Sequence, residues 1–374
     1  LLSVYEFSFA NGKLSYSQYL ALIILLYKKG LREDIKNWRP ISLSNTDTKI
    51  LTKVFAERIK IVLPEIIDKD QFGCVKGRKI GHSIRLINDV SNELDNEGAV
   101  LLTDKQKAFD LVEWKWLFFV LKRYGFGDYV INWIQIIYLE MKSAVLSNGF
   151  ISEYFELSRG IRQGDSLSAL LYIIQAEPLA ECLRQSRNMP GVQIKDRDGL
   201  THEVKGSQCV DDSNNMLRSY KQIEQCLLVI DRFGFASGSR INRSKTIALV
   251  SEQFQSKQNI RKDINVQTEV DKVLGVPMGK GELTEFWKEK ISKIKSKLNF
   301  WKMRDLSMFG KVYVIKSIII PILHYASAHI DINGDTVDSV QEIIWDFVWE
   351  WKTRFVSANV CYLPKSLGGL GLPN

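Results

Sequence analysis

The chain has 374 residues, of which 45% are hydrophobic and 25% charged, a composition typical of a soluble globular protein with roughly two to three structural units. Its net charge of +8 favours a polyanionic partner, because clustered lysines and arginines bind phosphate backbones by releasing counterions. The five cysteines have no Cys-x-x-Cys spacing and no histidines cluster near them, which excludes a zinc site and indicates a reducing, intracellular compartment, the nucleus or the cytoplasm.

The start of the chain and its two longest apolar runs predict neither export nor a membrane anchor. Residues 1–6 lack the basic and apolar regions of a signal peptide. The apolar runs at 19–27 and 318–330 are shorter than the roughly 20 residues that a spanning helix needs, and the second contains Pro321. We therefore expect no signal peptide and no transmembrane segment.

Two amphipathic helices are predicted in the first hundred residues. Apolar residues recur at i, i+3 and i+4 from position 50 to 63 and again from 84 to 94, the spacing of a helix with one buried face. Between them lies the glycine-spaced basic loop 73–78. Such a loop can meet a triphosphate through backbone amides and Arg78, although a solvated turn has the same pattern.

A buried strand and two hairpins follow. Residues 99–103 are apolar and end in Asp104, so we predict a strand that presents this carboxylate at its end. The dipeptides Asn148-Gly149 and Asp198-Gly199 lie between strand-like segments and predict hairpins. The adjacent acids Asp211 and Asp212 also fall between two short segments that can pair. The middle of the chain is therefore predicted to be α+β.

The last hundred residues are predicted to be helical. From 286 to 301, apolar residues recur at spacings of three and four while lysines fill the other faces. Those lysines fit either a solvated face or a face that contacts nucleic-acid phosphates. A second helix is expected from about 307 to 320, and the tryptophans of 331–374 indicate a further packed helical segment.

The two acidic positions, Asp104 and the pair Asp211-Asp212, are the strongest chemical signal. Carboxylates from different elements that converge can hold two divalent ions about 3.5–4 Å apart and support phosphoryl transfer. Mg²⁺ prefers such hard oxygen ligands. Adjacent aspartates are also common in solvated turns, so the pair by itself does not establish a site.

In their order along nearly the whole chain, the segments resemble the reverse transcriptase of non-LTR (LINE-type) retrotransposons. The matching segments are 38–43 and 71–78 for two fingers motifs, 104–110 and 159–168 for two palm motifs, 209–212 for the Tyr-x-Asp-Asp box, 237–246 for the fourth palm motif, 274–279 for the primer grip, and 363–372 for the region after the thumb.

This resemblance implies an α+β right-hand polymerase fold, with fingers, a palm that contains an antiparallel sheet, and a helical thumb. The implied boundaries are fingers and palm in 1–280, a thumb in 281–330, and the start of a C-terminal helical segment in 331–374. Within the first region, the fingers are expected at about 1–95 and 119–155, and the palm at about 96–118 and 156–280.

The resemblance also implies an RNA-directed DNA polymerase with an RNA template, a DNA primer and deoxynucleoside triphosphates as partners, and it leaves the oligomeric state open. Two Mg²⁺ ions are the implied cofactor, with Mn²⁺ as the alternative. The implied roles are metal binding for Asp104, Asp211 and Asp212, proton donation for Lys245, triphosphate binding for Arg39 and Arg78, nucleotide-pocket shaping for Gln163 and Gly164, and exclusion of a 2′-hydroxyl for Phe109. Asp110 is expected to be a structural acid or a cap of the following helix.

Several positions depart from the family pattern. Cys209 replaces the usual tyrosine of the box, and Lys105 replaces an apolar residue beside Asp104. Asn214 and Asn215 are poor strand formers and are expected to loosen the returning strand of the hairpin. These departures leave open an alternative function, in which the chain is a catalytically inactive element remnant that binds RNA or an RNA–DNA hybrid. A maturase is disfavoured because no maturase region is visible, and an RNA-synthesising polymerase is disfavoured by Phe109.

Overall fold

The computed structural model describes residues 1–94, 98–196, 198–250, 263–268, 270–278, 283–350 and 356–373. They belong to two compact units, Leu1–Thr268 and Glu269–Asn374. The first unit ends twelve residues before the expected boundary at 280, and the second contains both the expected thumb and the expected C-terminal segment. The expected boundaries of fingers, palm, thumb and C-terminal segment stay a prediction.

The strands and helices are numbered here in chain order. The strands are β1 Leu20–Tyr27, β2 Trp38–Ser44, β3 Ala99–Thr103, β4 Lys142–Ser147, β5 Phe150–Ile151, β6 Phe155–Glu156, β7 Val192–Lys195, β8 Thr201–Val204, β9 Gly206–Cys209, β10 Asp212–Leu217, β11 Ile247–Val250, β12 Asn265–Gln267, β13 Val270–Val273 and β14 Val276–Met278. The helices of the first unit are α1 Leu2–Ala10, α2 Tyr16–Tyr19, α3 Thr46–Ile66, α4 Ile80–Glu93, α5 Trp114–Arg123, α6 Asp128–Tyr138, α7 Ser168–Gln185 and α8 Tyr220–Ser237. Those of the second unit are α9 Thr284–Lys302, α10 Met308–Val314, α11 Ile320–Ser327, α12 Gly334–Trp349 and α13 Ala358–Tyr362.

The central sheet of the first unit has the order β12-β11-β3-β10-β9. β3 pairs antiparallel with both β10 and β11, and all of its residues are buried. Its apolar sequence forms this central strand because helices cover it: Ala99 and Leu101 pack in one core with residues of α7 and α8. The predicted buried strand is confirmed.

A second sheet in the same unit has the order β2-β1-β4-β5, and β6 also pairs with β4. β1 is antiparallel to β2 and parallel to β4, so the sheet joins chain segments about 120 residues apart in sequence. Most of its side chains are half-buried or exposed; Ala21 is the buried residue of β1. The hairpins predicted at Asn148-Gly149 and Asp198-Gly199 are confirmed as β4–β5 and β7–β8.

The helices of the first unit follow their sequence patterns. α3 buries Leu51, Phe55, Ile59 and Leu63 on one face, as the i, i+4 spacing predicts, and α4 buries Ile84, Ile87 and Val90 in the same way. The face of α3 packs in a large core with residues of α5, α6 and α7. This core supports the loop and helices that connect β3 to β4.

In the second unit, the predicted amphipathic helix is confirmed as α9, with Ile294 and Leu298 buried and its lysines mostly exposed. These two residues pack with α12, where Trp345 and Trp349 are buried as core residues. Trp351, which belonged to the same expected cluster, lies outside the described residues.

The helical run Met308–Ser327 comprises α10, a π-helical turn at Ile315–Ile319, and α11. By length and composition it is the one described helix that could cross a membrane. The same composition is found in core helices of soluble proteins, and Ile315 and Ile319 are indeed buried in the core of this unit. The expected absence of a transmembrane segment stays a prediction.

Candidate active site

The first acidic side chain, Asp104, stands at the end of the central strand. Thr103, the last residue of β3, lies opposite Ser213 of β10, and its hydroxyl donates a hydrogen bond to the Ser213 carbonyl at 2.7 Å. Asp104 follows directly, with a side chain that is 45% exposed. A buried strand therefore presents this carboxylate at its end, as the sequence predicts.

The second acidic cluster lies at the tight turn between β9 and β10. Cys209 pairs with Asp212 across the hairpin, so Val210 and Asp211 are the two turn residues. Val210 adopts the left-handed region with φ of +60°. Because β10 also pairs with β3, the register brings this turn to the same end of the sheet as Asp104. The predicted hairpin is confirmed.

The three carboxylates lie close enough to influence one another. Burial raises the pKa of Asp212 to about 6, and repulsion from Asp211 and Asp104 acts in the same direction. Lys28 and Lys105 oppose the shift. The site thus concentrates negative charge at one end of a buried sheet.

Lys105 is a buried cation beside these acids. The residue is 8% exposed, and its ammonium nitrogen lies 5.5 Å from the centroid of the Tyr172 ring. Burial lowers the pKa of Lys105 to about 8, while attraction to Asp211 and Asp212 opposes that change. Lys105 is the departure from the family pattern that lies beside Asp104, and its attraction to Asp211 and Asp212 agrees with a charge that can pair with an acid or perturb the site. It is not among the predicted site residues, although a lysine at the end of a buried strand next to an acid is the signal that identifies it.

Phe109 lies in the loop after β3. Its ring stacks on that of Tyr172 with centroids 5.1 Å apart and an interplanar angle of 12°. The next residue, Asp110, accepts a hydrogen bond from Gln163 Nε2 at 3.4 Å, and burial raises its pKa. Of the two roles expected of Asp110, the cap is not observed, because α5 begins after Glu113. The contact of its carboxylate with Gln163 agrees with the other role, a structural acid.

Gln163 and Gly164 connect this loop to the half-exposed sheet. The Gln163 carbonyl accepts a hydrogen bond from the Ser42 amide of β2 at 2.8 Å. Gly164 has φ of +105°, and a Cβ at this position would lie 3.2 Å from Ile41 Cγ2 and 3.3 Å from the Ser42 carbonyl oxygen. A glycine is therefore needed both for the backbone conformation and for the close approach. The structure brings Phe109 and Gln163 into one neighbourhood, as expected.

Lys245 is placed near Asp104 by a loop that is tied to the end of β3. The Asp104 carbonyl accepts from the Asn242 amide at 2.7 Å, and the Gln106 amide donates to the Arg240 carbonyl at 2.8 Å. Lys245 Nζ lies 4.0 Å from Asp104 Oδ2, and the lysine side chain is 68% exposed. Its position next to the acids agrees with its selection from the sequence, whereas its role stays a prediction.

The two arginines selected for triphosphate binding differ in their surroundings. Arg39 is exposed on β2, opposite Leu26 of β1. The Arg78 guanidinium donates to the carbonyls of Ile67 and Gln71, both at 2.8 Å, and also to that of Asp68. Arg78 therefore organises its own loop, a contact that the sequence did not indicate.

Cys209 occupies the position of the expected tyrosine and is half-buried. Burial, followed by the charge of Asp212, raises the pKa of its thiol to about 11, so the thiol is neutral at physiological pH. The expected loosening of the returning strand is not observed: β10 pairs with both β3 and β9, and Asn214 Nδ2 donates to the Ser207 carbonyl at 3.1 Å. At Asn214, this side-chain bond to the neighbouring strand compensates for the poor strand propensity of asparagine.

Within the described ranges of the chain, no group of three or more histidine, cysteine, aspartate or glutamate side chains is spaced to hold a metal ion. The chemistry of the donors nevertheless fits a hard divalent cation, because Asp104, Asp211 and Asp212 supply carboxylate oxygens from two elements. The repulsion that raises the pKa of Asp212 is also what a bound cation would relieve.

Comparison with known proteins places the chain in a family. The family model for reverse transcriptase (RNA-dependent DNA polymerase) matches residues 26–278. The transposon TX1 uncharacterized 149 kDa protein of Xenopus laevis is 32% identical over 98% of this chain, and the match covers 28% of that protein. The retrovirus-related Pol polyprotein from the type-1 retrotransposable element R2 of Popillia japonica is 25% identical over 45% of this chain and 24% of its own length. The chain thus spans less than a third of these relatives.

A solved structure of apo telomerase from Candida tropicalis has a similar fold, with a TM-score of 0.54 and 12% sequence identity; the match covers 94% of this chain and 64% of that one. The predicted α+β polymerase fold is confirmed, as is the resemblance to non-LTR retrotransposon proteins. The chain belongs to the reverse transcriptase family of RNA-directed DNA polymerases and is homologous to the proteins of non-LTR retrotransposons.

Proposed function

We propose that this domain is an active RNA-directed DNA polymerase that adds deoxynucleotides to a primer 3′-hydroxyl. The observation that carries the proposal is the convergence of Asp104, at the end of β3, with Asp211 and Asp212, at the β9–β10 turn. Carboxylates fixed by two paired elements are suited to holding a divalent metal in a constant geometry.

Reverse transcriptases generally use divalent metals, and we propose two Mg²⁺ ions here, with Mn²⁺ as the alternative. Asp104, Asp211 and Asp212 would hold them. When bound, the ions supply activation of the attacking oxygen and stabilisation of the leaving pyrophosphate oxygen. Lys245 lies within reach of this position and is assigned to proton donation to pyrophosphate, since its ammonium nitrogen is 4.0 Å from Asp104 Oδ2.

The substrate is proposed to be a deoxynucleoside triphosphate. Phe109 is held against Tyr172, and a fixed aromatic ring at the sugar would exclude a 2′-hydroxyl by contact. Gln163 and Gly164 form the adjoining wall between this loop and β2. Triphosphate binding is assigned to Arg39, which is exposed, and to Arg78, three of whose five guanidinium N–H groups donate to backbone carbonyls.

The polymer partners are proposed to be an RNA template and a DNA primer. The net charge of +8 supports a polyanionic partner. The cysteines are all free thiols, which supports an intracellular setting in the nucleus or the cytoplasm. The activities and partners of the whole protein belong to the same proposal, because the chain covers 28% of its TX1 relative.

Primer extension on an RNA template with deoxynucleotides and Mg²⁺ tests this function. Wild type should extend the primer, and Asp211→Asn should lose roughly three orders of magnitude in rate, since a metal ligand contributes several kcal/mol to the transition state. Asp128→Asn, an exposed aspartate at the start of α6, is the matched control and should extend normally. An inert wild type, or undiminished extension by Asp211→Asn, would refute the proposal.

A second candidate is a catalytically inactive remnant that binds RNA or an RNA–DNA hybrid. Two features of the hairpin favour it. Cys209 stands where the family resemblance implies an aromatic ring beside the acids, and the buried Asn215 Nδ2 has no hydrogen-bond partner among the described residues. This candidate predicts binding that weakens steeply with salt and no extension by wild type. Binding that does not respond to salt would reject it.

A further inference from the structure

The segment before the basic loop forms an extra edge on the central sheet. The Asp70 carbonyl accepts from the Gln208 amide at 2.8 Å, and the Phe72 amide donates to the Gln208 carbonyl at 2.7 Å. These bonds align the segment parallel to β9, next to the hairpin with the paired acids. Gln71, between them, is 1% exposed, so its amide side chain lies inside the protein.

The Gln71 side chain reaches the catalytic turn. Its Oε1 accepts two backbone hydrogen bonds, from the Gly73 amide at 2.8 Å and from the Val210 amide at 3.0 Å. Val210 immediately precedes Asp211 and has φ of +60°. A β-branched residue in the left-handed region is strained and persists only where its surroundings fix it. The bond from Gln71 is one such constraint.

Gly73 closes the same contact from the other side. A Cβ on this glycine would lie 2.5 Å from Val210 Cγ2 and 2.7 Å from the Val210 amide nitrogen. Only a residue without a side chain lets the two backbones approach so closely. Gln71 and Gly73 therefore act together on one residue of the turn, Val210.

We propose that Gln71 is a positioning residue for the acids: by holding Val210 in its left-handed conformation, it sets the direction in which Asp211 and Asp212 project. This inference rests on the proposed function. It also gives residues 71–73 a role different from the triphosphate contact expected of their motif, since Gln71 Oε1 is directed to backbone amides.

The test compares Gln71→Met with a matched control, Gln18→Met. Gln18 is also 1% exposed, and its Oε1 accepts from the Ser15 amide at 3.1 Å and the Ser15 hydroxyl at 3.0 Å, in a capping box at the start of α2. Each change removes one buried acceptor from a side chain of similar size, so both should lower the unfolding midpoint to a similar extent.

The inference predicts that Gln71→Met alone lowers kcat for deoxynucleotide incorporation, by about 10- to 100-fold, with little change in the KM of the nucleotide, since small displacements of a catalytic group cost rates of this order. Hydrogen exchange at the amides of Val210 and Asp211 should accelerate in the same variant. Equal kcat and equal exchange in the two variants would overturn the inference.

Should Gln71→Met fail to fold, Gln71→Asn and Gln18→Asn provide a second pair, because shortening by one methylene withdraws the acceptor without removing the amide. If wild type does not extend a primer, the proposed function fails, and hydrogen exchange at Val210 and Asp211 in the two variants still decides whether Gln71 holds the turn.

Discussion

The two sheets of the first unit differ in how firmly they hold their residues. In the central sheet, β3 is buried throughout, with Ala99, Val100 and Leu101 0% exposed. In the second sheet, Leu26 and Tyr27 at the end of β1 are 51% and 39% exposed, and most other residues of that strand are half-buried. The central sheet has apolar contacts on its helical side that the second sheet largely lacks.

The residues proposed to bind metal and those proposed to contact the nucleotide lie on different sheets. The acids Asp104, Asp211 and Asp212 lie at the end of the buried sheet, whereas Arg39 and the contact of Gln163–Gly164 lie on the half-exposed one. Regions with fewer buried apolar contacts open at lower free energy. The difference suggests a fixed set of carboxylates with a more adaptable nucleotide-contacting surface beside it.

The largest expected effect comes from removing core volume under the acids. Leu101→Ala in β3 should lower the free energy of unfolding by about 2–5 kcal/mol, because a fully buried leucine leaves a cavity. Ile24→Ala in β1, at a half-buried position, should cost about 1 kcal/mol. Denaturant unfolding of both variants measures the difference, and equal losses would remove the distinction between the sheets.

A pH-dependent effect is expected behind the central sheet, in α7. Burial raises the pKa of Glu177 to about 7 from an ordinary 4.5, against the opposing attraction of Arg184. The folded state therefore binds more protons than the unfolded state between these pH values, and stability should fall as the pH rises from about 4.5 to about 7.

The loss in the free energy of unfolding over this pH range should be at most about 3 kcal/mol, measured relative to Glu177→Gln, in which the titrating group is absent. Chemical unfolding of both proteins between pH 4.5 and pH 8 measures it. The difference in the free energy of unfolding between wild type and Glu177→Gln should shift in favour of the variant as the pH rises. A difference that stays constant would show that Glu177 is ionised throughout this range.

The smallest effect concerns the contact of Gln163 and Gly164 with β2 of the second sheet. Gly164→Ala and Gly149→Ala both place a side chain at positive φ, and this backbone strain alone should cost each variant about 1 kcal/mol of stability. A Cβ at Gly149 has nothing within 4 Å, whereas one at Gly164 meets Ile41 and Ser42.

Gly164→Ala alone should therefore raise the KM for the deoxynucleotide, by up to roughly tenfold, because it displaces the wall that contains Gln163. Steady-state incorporation kinetics compare the two variants. The same KM in both would mean that this junction does not shape the nucleotide pocket.

Much of this architecture could be predicted because it depends on local patterns. The apolar run ending in Asp104, the Asn-Gly and Asp-Gly turns and the one-sided helix α3 each follow from residues adjacent in sequence. Strand and turn signals, together with the family resemblance, predict the acids Asp104, Asp211 and Asp212 as site residues.

What sequence reasoning missed depends on contacts between distant residues. Gln71 and Val210 are 139 positions apart, and nothing local to either shows their hydrogen bond. The bonds of Arg78 to nearby carbonyls require a particular loop conformation, which no periodicity specifies. Lys105 is buried because β3 ends under a covering helix that includes Tyr172, a tertiary relation rather than a property of its neighbours.

The central claim is that the strand-end acid and the turn acids work as one site, and a double-mutant cycle in primer extension tests it most directly. Asp104→Asn and Asp211→Asn should each lower the rate of primer extension by roughly three orders of magnitude or more. The double variant should be no slower than the slower of the two single variants, because the effects of residues that act as a unit are non-additive. Losses that multiply in the double variant would contradict the account, since they would show that Asp104 and Asp211 contribute independently.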